Sequence, residues 1–172
     1  MQINVSQQLK EITGSTRQYE IDEIIKSGDS SYGVQGKIKL VRTGQGMLVK
    51  GILHTQVEVT CSRCLSFFSC PLTLNIEEEY LLTTDIVSGA SLPLPEEPGC
   101  FTIDERFVLD LTEAIHQYVM LAIPMKPLCH QDCAGICPTC GHDLNQGPCG
   151  CLPQRVNPRW SELNNLTLTN DA

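Results

Sequence analysis

Six of the ten cysteines of this chain fall between residues 129 and 151, in "CHQDCAGICPTCGHDLNQGPCGC". Thiolates at such spacing suit a tetrahedral ion, because two residues between a pair of cysteines let the backbone turn and aim both sulfurs at one point. The "CPTCG" turn fits that demand. Pro138 fixes its entry, and Gly141 permits a positive φ that turns backbone N–H groups toward sulfur. Cys149 and Cys151 follow a turn-rich loop long enough to bring the chain back, as in a zinc ribbon. The expected ligands are therefore Cys137, Cys140, Cys149 and Cys151 on one zinc ion. Cys129 and Cys133 are the substitutes, and a six-thiolate cluster holding two metals is a third arrangement. His130 and His142 sit in the same window, but six thiols already oversupply one ion, so both are expected in solvent-facing loops.

Other uses of these thiols fit less well. The N-terminus "MQINVSQQLKEITG" has neither a basic segment nor an apolar run of secretory type. A cytoplasmic chain is expected, and its reducing surroundings disfavour disulfides. Cys133, Cys137 and Cys140 have the spacing of a radical iron–sulfur motif, but only 32 residues follow Cys140, too few for the barrel which that chemistry needs. A second pair lies in "CSRCL", with Arg63 between Cys61 and Cys64, and no partner pair stands near it in sequence. Packing as small apolar side chains is its expected use. Ligation of the C-terminal ion and a partly solvent-ligated site of its own are the alternatives.

The elements that must position these residues are mostly strands. "GVQGKIKLVRT" alternates, with Val34, Ile38 and Leu40 on one side and Gln35, Lys37 and Lys39 on the other. "TGQG" supplies a turn, and "MLVKGILHTQVEVT" continues as a β-rich run in which Gly51 marks a possible bulge. After "CSRC", Phe68, Cys70, Leu72, Leu74 and Ile76 share one face. An antiparallel meander follows, its second turn carrying Cys61 and Cys64. Residues 83–100 have the composition of a linker. Asp110 then reads as the N-cap of a helix whose stripe is Leu111, Ala114, Ile115, Tyr118, Val119 and Ala122, and which Pro124 ends. His54 and His116 fall in strand and helix with no nucleophile or acid partner. The fold class is α+β: an antiparallel β-rich domain packed with one main helix over 1–125, and a small Cys-rich zinc-binding module over 126–168. A short terminal helix carrying Trp160, Leu163 and Leu166 closes that module.

Charge adds a second lead. The net charge is −8, yet residues 33–63 hold Lys37, Lys39, Arg42, Lys50 and Arg63 against the single acid Glu58. Acids concentrate later, at Glu77-Glu78-Glu79 and Glu96-Glu97. An acidic chain gains little from phosphate neutralisation over its whole surface, so a nucleic-acid contact would use the local basic patch, whose simpler and preferred reading is a solvated face of a sheet. No run of about eighteen apolar residues is present, which argues against a spanning helix. No Ser-His-Asp arrangement, paired-carboxylate site or phosphate loop stands out, and a hydrolase is disfavoured.

Taken together, "VEVTCSRCL", the acidic linker, "LDLTEAIHQYVMLAIPMKPLC" and "CAGICPTCGHDLNQGPCGC" before "NPRWSEL" resemble the YceD-like family, the large ribosomal RNA subunit accumulation proteins of bacteria and plastids. The resemblance covers roughly residues 30–168. It implies a non-enzymatic role in accumulation of large-subunit ribosomal RNA, exercised by binding that RNA or a large-subunit ribosomal protein. Some members keep the CxRC and lack the C-terminal cluster. The resemblance therefore implies that Cys61, Arg63 and Cys64 carry the shared role; the local basic patch, and not the resemblance, adds Lys37 and Lys39 as further candidate binding residues. The runner-up is a redox or metal-handling protein in which Cys61 and Cys64 cycle between dithiol and disulfide.

Overall fold

A computed structural model describes residues 1–27, 30–93 and 99–151. Its backbone is a sheet of β1 (Gln2–Asn4), β2 (Thr16–Ser27), β3 (Ser30–Arg42), β4 (Gly46–Thr60), β5 (Phe67–Leu82), β6 (Phe101–Ile103) and β7 (Val108–Asp110), with one helix, α1 (Thr112–Ala122). The strand order is β1-β7-β6-β5-β4-β3-β2. All neighbours run antiparallel except β5 and β6, where Tyr80 pairs with Phe101 in parallel.

The meander from β3 to β5 follows the alternation of its sequence. Val34, Ile38 and Leu40 of β3, Met47, Val49 and Leu53 of β4, and Leu72, Leu74, Ile76 and Tyr80 of β5 all turn inward and are buried. Their neighbours in sequence, among them Lys37, Lys39, Lys50 and Glu77, turn outward. Gly51 is not a bulge: Lys37↔Ile52, Ile38↔Gly51 and Lys39↔Lys50 continue the ladder without interruption. Close approach is what requires glycine there. A Cβ at residue 51 would lie 2.4 Å from the Lys37 carbonyl oxygen and 2.8 Å from the Ile38 Cα. With no side chain on the inner face at that point, the long strands curl around the core.

The first thirty residues add β1, a short 3-10 turn at Gln8–Lys10, and β2, which pairs with β3 along its whole length. The buried Gln8 donates to the Leu40 carbonyl at 3.0 Å, and Arg42 Nε donates to that of Leu9 at 3.2 Å. Arg42 thus fastens this turn to β3.

Helix α1 lies against β5 through the buried Ala114, Ile115 and Val119, with Leu111 just before them. Leu111, Ile115 and Val119 each contribute about 1.5–3 kcal/mol on burial, and the single methyl of Ala114 less. Tyr118 is half-buried, and its hydroxyl donates to Glu78 Oε1 at 3.0 Å while accepting from the Glu77 amide at 3.2 Å. The N-cap position is Leu111 rather than Asp110, although Asp110 Oδ1 still accepts the Thr112 amide at 2.9 Å. Ile123 is extended, as a residue before proline must be, and the helix stops there. The expected terminal helix with Trp160, Leu163 and Leu166 lies outside the described residues.

Candidate metal centres

The turn between β4 and β5 is closed by the Leu65 amide donating to the Cys61 carbonyl at 3.0 Å, and by the Cys61 amide donating to Ser66 at 2.9 Å. Leu65 has φ 61°, an uncommon conformation for a residue with a branched side chain. This shape carries Cys61 and Cys64 to one side, both buried, and leaves Leu65 in solvent. The Arg63 amide donates to Cys61 Sγ at 3.5 Å.

The chain leaving α1 returns to this turn. Ser62 donates its amide to Pro127 at 2.8 Å, and Arg63 Nη1 donates to the Cys133 carbonyl at 2.9 Å. Gly135, at φ 76°, passes so close that a Cβ there would lie 3.1 Å from the Arg63 carbonyl oxygen. Cys129 and Cys133 are thereby set against the first pair, with Cys61 Sγ 3.8 Å from Cys133 Sγ and Cys64 Sγ 3.6 Å from Cys129 Sγ. All four sulfurs lie within 4.8 Å of one another, with Phe68 and Leu128 packed beside them.

Immediately beyond, Cys137, Cys140, Cys149 and Cys151 form a second group that meets the same distance limit. Its first turn repeats the backbone of the β4–β5 turn. The Gly141 amide donates to the Cys137 carbonyl at 2.9 Å, and Gly141 has φ 74°. The loop that follows is tied back by Cys137 N–H to the His142 carbonyl, 2.8 Å, and Leu144 N–H to that of Gly135, 2.9 Å. Asn145 sits between the groups: Oδ1 accepts the Ala134 amide at 2.7 Å, and Nδ2 donates to Cys133 Sγ at 3.4 Å.

The electrostatics of both groups suit a cation. The Cys64 amide N–H, aimed at Cys61, draws that thiol down to about 5 against the opposing effect of burial. Cys64 is lowered chiefly by the Ser66 hydroxyl, 2.9 Å away. Burial and the neighbouring sulfurs push Cys129 up to about 12. In the second group the Cys140 amide brings Cys137 down to about 6, whereas Cys151, beside the Cys140 sulfur, is pushed up to about 12. Cys61 and Cys64 in the first group and Cys137 in the second are thus favoured as thiolates while neighbouring sulfurs resist further negative charge, an opposition that a bound cation removes. Four sulfurs held at about 2.3 Å around a tetrahedral ion stand roughly 3.8 Å apart. Either group can hold a metal ion.

The structure brings together the four cysteines expected to share the C-terminal ion. Cys129 and Cys133, the expected substitutes, lie instead with Cys61 and Cys64, a pairing that neighbours in sequence do not reveal. His130 Nδ1 lies 3.1 Å from Cys129 Sγ; His54 and His116 contact Thr73 and Tyr32. The basic patch is also altered by the fold. Lys37 pairs with Glu20 of β2 at 2.8 Å, Lys50 pairs with Glu77 of β5 at 2.5 Å, and Lys39 stands opposite Lys50. Arg42 is turned to the Leu9 and Gly46 carbonyls. The outward face of the meander therefore presents a mixed surface in which Lys37, Lys39 and Lys50 adjoin Gln18, Ile52 and His54. Among the described residues no helix is long and apolar enough to cross a membrane.

Comparison with known proteins agrees with the pattern of these residues. The family model described as large ribosomal RNA subunit accumulation protein YceD matches residues 49–167, which include both thiol groups but not Lys37 or Lys39. An uncharacterized protein of Mycobacterium tuberculosis is 29% identical over 126 residues, 73% of this chain and 58% of the relative. A chloroplastic protein of Arabidopsis thaliana, named large ribosomal RNA subunit accumulation protein YCED homolog 1, is 25% identical over 154 residues, 77% of this chain and 48% of the relative. Its namesake in Zea mays is 29% identical over 143 residues, 69% and 48%. The chain thus spans about half the length of the curated relatives it matches. No solved structure matches it.

Proposed function

The chain belongs to the YceD family of large ribosomal RNA subunit accumulation proteins, and on that premise we propose that it supports accumulation of large-subunit ribosomal RNA by binding rather than by catalysis. Its direct ligand is that RNA or a large-subunit ribosomal protein, met in the cytoplasm. The observation that carries this reading is the outward face of the β3–β5 meander. It offers lysines and carboxylates on one open surface, suited to phosphates or to a basic protein. The C-terminal group Cys137, Cys140, Cys149 and Cys151 holds one zinc ion, which organises a segment that has little apolar content of its own.

The thiols support a structural use over a redox one. Cys61 is fully buried, and Cys64 faces Cys129 rather than forming a solvent-facing pair with Cys61. Dithiol exchange needs an accessible thiolate.

The test is purification of the tagged protein from cells at low salt, with sequencing of the co-purifying RNA and mass spectrometry of the co-purifying proteins. Enrichment of large-subunit ribosomal RNA precursors, or of one large-subunit ribosomal protein, is expected. Recovery of neither overturns the reading.

A further inference from the structure

We propose that Cys61, Cys64, Cys129 and Cys133 form a zinc centre of their own, separate from the C-terminal one, which pins the segment after α1 to the β4–β5 turn. The proposal does not depend on what the protein binds, and it rests on four independent features.

The first is distance. Separations of 3.8 and 3.6 Å between facing sulfurs match the edge of a tetrahedral thiolate site, and the 4.8 Å limit on all four leaves room for one ion rather than a multi-iron cluster.

The second is the turn. Cys61–Leu65 and Cys137–Gly141 share one backbone closure, from the fifth residue's amide to the first cysteine's carbonyl, with that fifth residue at positive φ. Glycine takes that conformation freely, but leucine does so at a cost of about 1–2 kcal/mol. Leu65 is 59% exposed, so burial of its side chain does not offset the strain. The shape is retained because it aims two sulfurs at one point.

The third is the supporting shell. Ligating sulfurs are held by N–H donors, and here the Arg63 amide serves Cys61 while the Asn145 side chain serves Cys133.

The fourth is the lack of a buried aliphatic anchor in the segment. From 126 to 151 the buried side chains are those of Cys133 and Cys137, with no buried aliphatic residue among them. A segment of that kind does not fold onto a sheet by hydrophobic burial. Binding exchanges the thiol protons for the ion: each cysteine that enters as a thiol releases one proton to solvent, and four thiolates with one zinc ion leave the site at a charge of −2.

The experiment uses the full chain, purified without added chelator and analysed for metal by mass spectrometry. The parent is expected to carry about two zinc ions per chain. Cys64→Ser and Cys133→Ser should each reduce this to about one, Cys137→Ser should do the same, and Cys133→Ser with Cys137→Ser should leave almost none. Reloading with cobalt(II) should give a visible tetrahedral-thiolate absorption that halves in each single variant. Cys64→His keeps a ligand while changing the donor atom, so it should retain the second ion and move the cobalt absorption to shorter wavelength. A side chain that served only to pack would not show that rescue. Limited proteolysis of Cys133→Ser should open cleavage within 126–136 while β3–β5 stay protected. A parent with one zinc ion that Cys64→Ser and Cys133→Ser leave in place overturns the proposal, as does iron–sulfur absorbance. Failure of the ribosomal reading would leave these metal counts unchanged.

Discussion

Asn145 Nδ2 lies 3.4 Å from Cys133 Sγ, so the loop that closes one thiol group donates a hydrogen bond to a sulfur of the other. The same side chain accepts the Ala134 amide and thereby fixes the backbone beside Cys133. Asn145→Ala should speed metal release from the Cys61 group by about 10–100-fold, the usual effect of losing an outer hydrogen bond to a ligand. Release into a chromophoric chelator should change in one phase only. Identical release in variant and parent would show that Asn145 merely shapes its loop.

Ile115 is fully buried beneath β5, and an aspartate there would leave a carboxylate with no partner. Ile115→Asp should lower stability by more than about 3 kcal/mol and abolish the cooperative unfolding transition. Met120 lies on the same helix at 60% exposure. Met120→Asp should unfold like the parent. A soluble Ile115→Asp protein with the parent's melting curve would show that the helix does not share the core.

Gly51 has the backbone of β3 where a side chain would begin. Gly51→Ala places a Cβ 2.4 Å from the Lys37 carbonyl oxygen, and the ladder must open to admit it. The urea midpoint should fall by the equivalent of about 1–3 kcal/mol with little change in slope. An unchanged midpoint would mean that the curl of the sheet tolerates a side chain there.

Charge reversal separates the two kinds of partner. The ion pair between Lys37 and Glu20 is exposed on both sides, and solvent screening leaves pairs of that kind with little effect on stability. Lys37→Glu with Lys39→Glu should therefore leave stability almost unchanged while weakening RNA binding. The slope of log affinity on log salt should fall by about 0.7–0.9 for each phosphate that is no longer neutralised. Glu77→Gln with Glu79→Gln should instead weaken a basic protein partner. Glu78 is left intact because it holds Tyr118. If neither pair reduces recovery of large-subunit precursors, electrostatic binding through this face is wrong, and the surface around Cys61, Arg63 and Cys64 becomes the next candidate.

The meander was legible because one face of each strand meets the core and the other meets water, so Val34, Ile38 and Leu40 alternate cleanly with Lys37 and Lys39. β2 hides the same rule. Ile24 points outward at 71% exposure while Glu23 lies on the side of Ile21 and Ile25, and the apolar pattern is lost. Short β1 and β7 have no period to read. Among the thiols, Cys137, Cys140, Cys149 and Cys151 were grouped by turns that operate over a dozen residues. Cys61 and Cys64 meet Cys129 and Cys133 only through the packing of α1 on β5 and the return of the chain after Pro127. One clue in spacing was present, since setting aside the expected four leaves Cys61 with Cys64 before the helix and Cys129 with Cys133 after it, besides the single Cys70 and Cys100. The patch of lysines reads as more basic in sequence than on the surface for a related reason: a window of sequence counts neighbours along one strand, whereas Glu20 and Glu77 are neighbours across strands.

The contact of residues 61 and 64 with 129 and 133 also has a topological consequence. An ion held there would join the two ends of a span containing β5, β6, β7 and α1, like a clasp on a loop of roughly 65 residues. Such a clasp persists in a denatured chain that keeps its metal, and closing a loop of that size removes about 4 kcal/mol of chain entropy from the denatured ensemble. Part of the protection would then come from narrowing the disorder available on unfolding, leaving the folded sheet no tighter than before. The main part of the fold would owe its endurance to a bond made outside its own core.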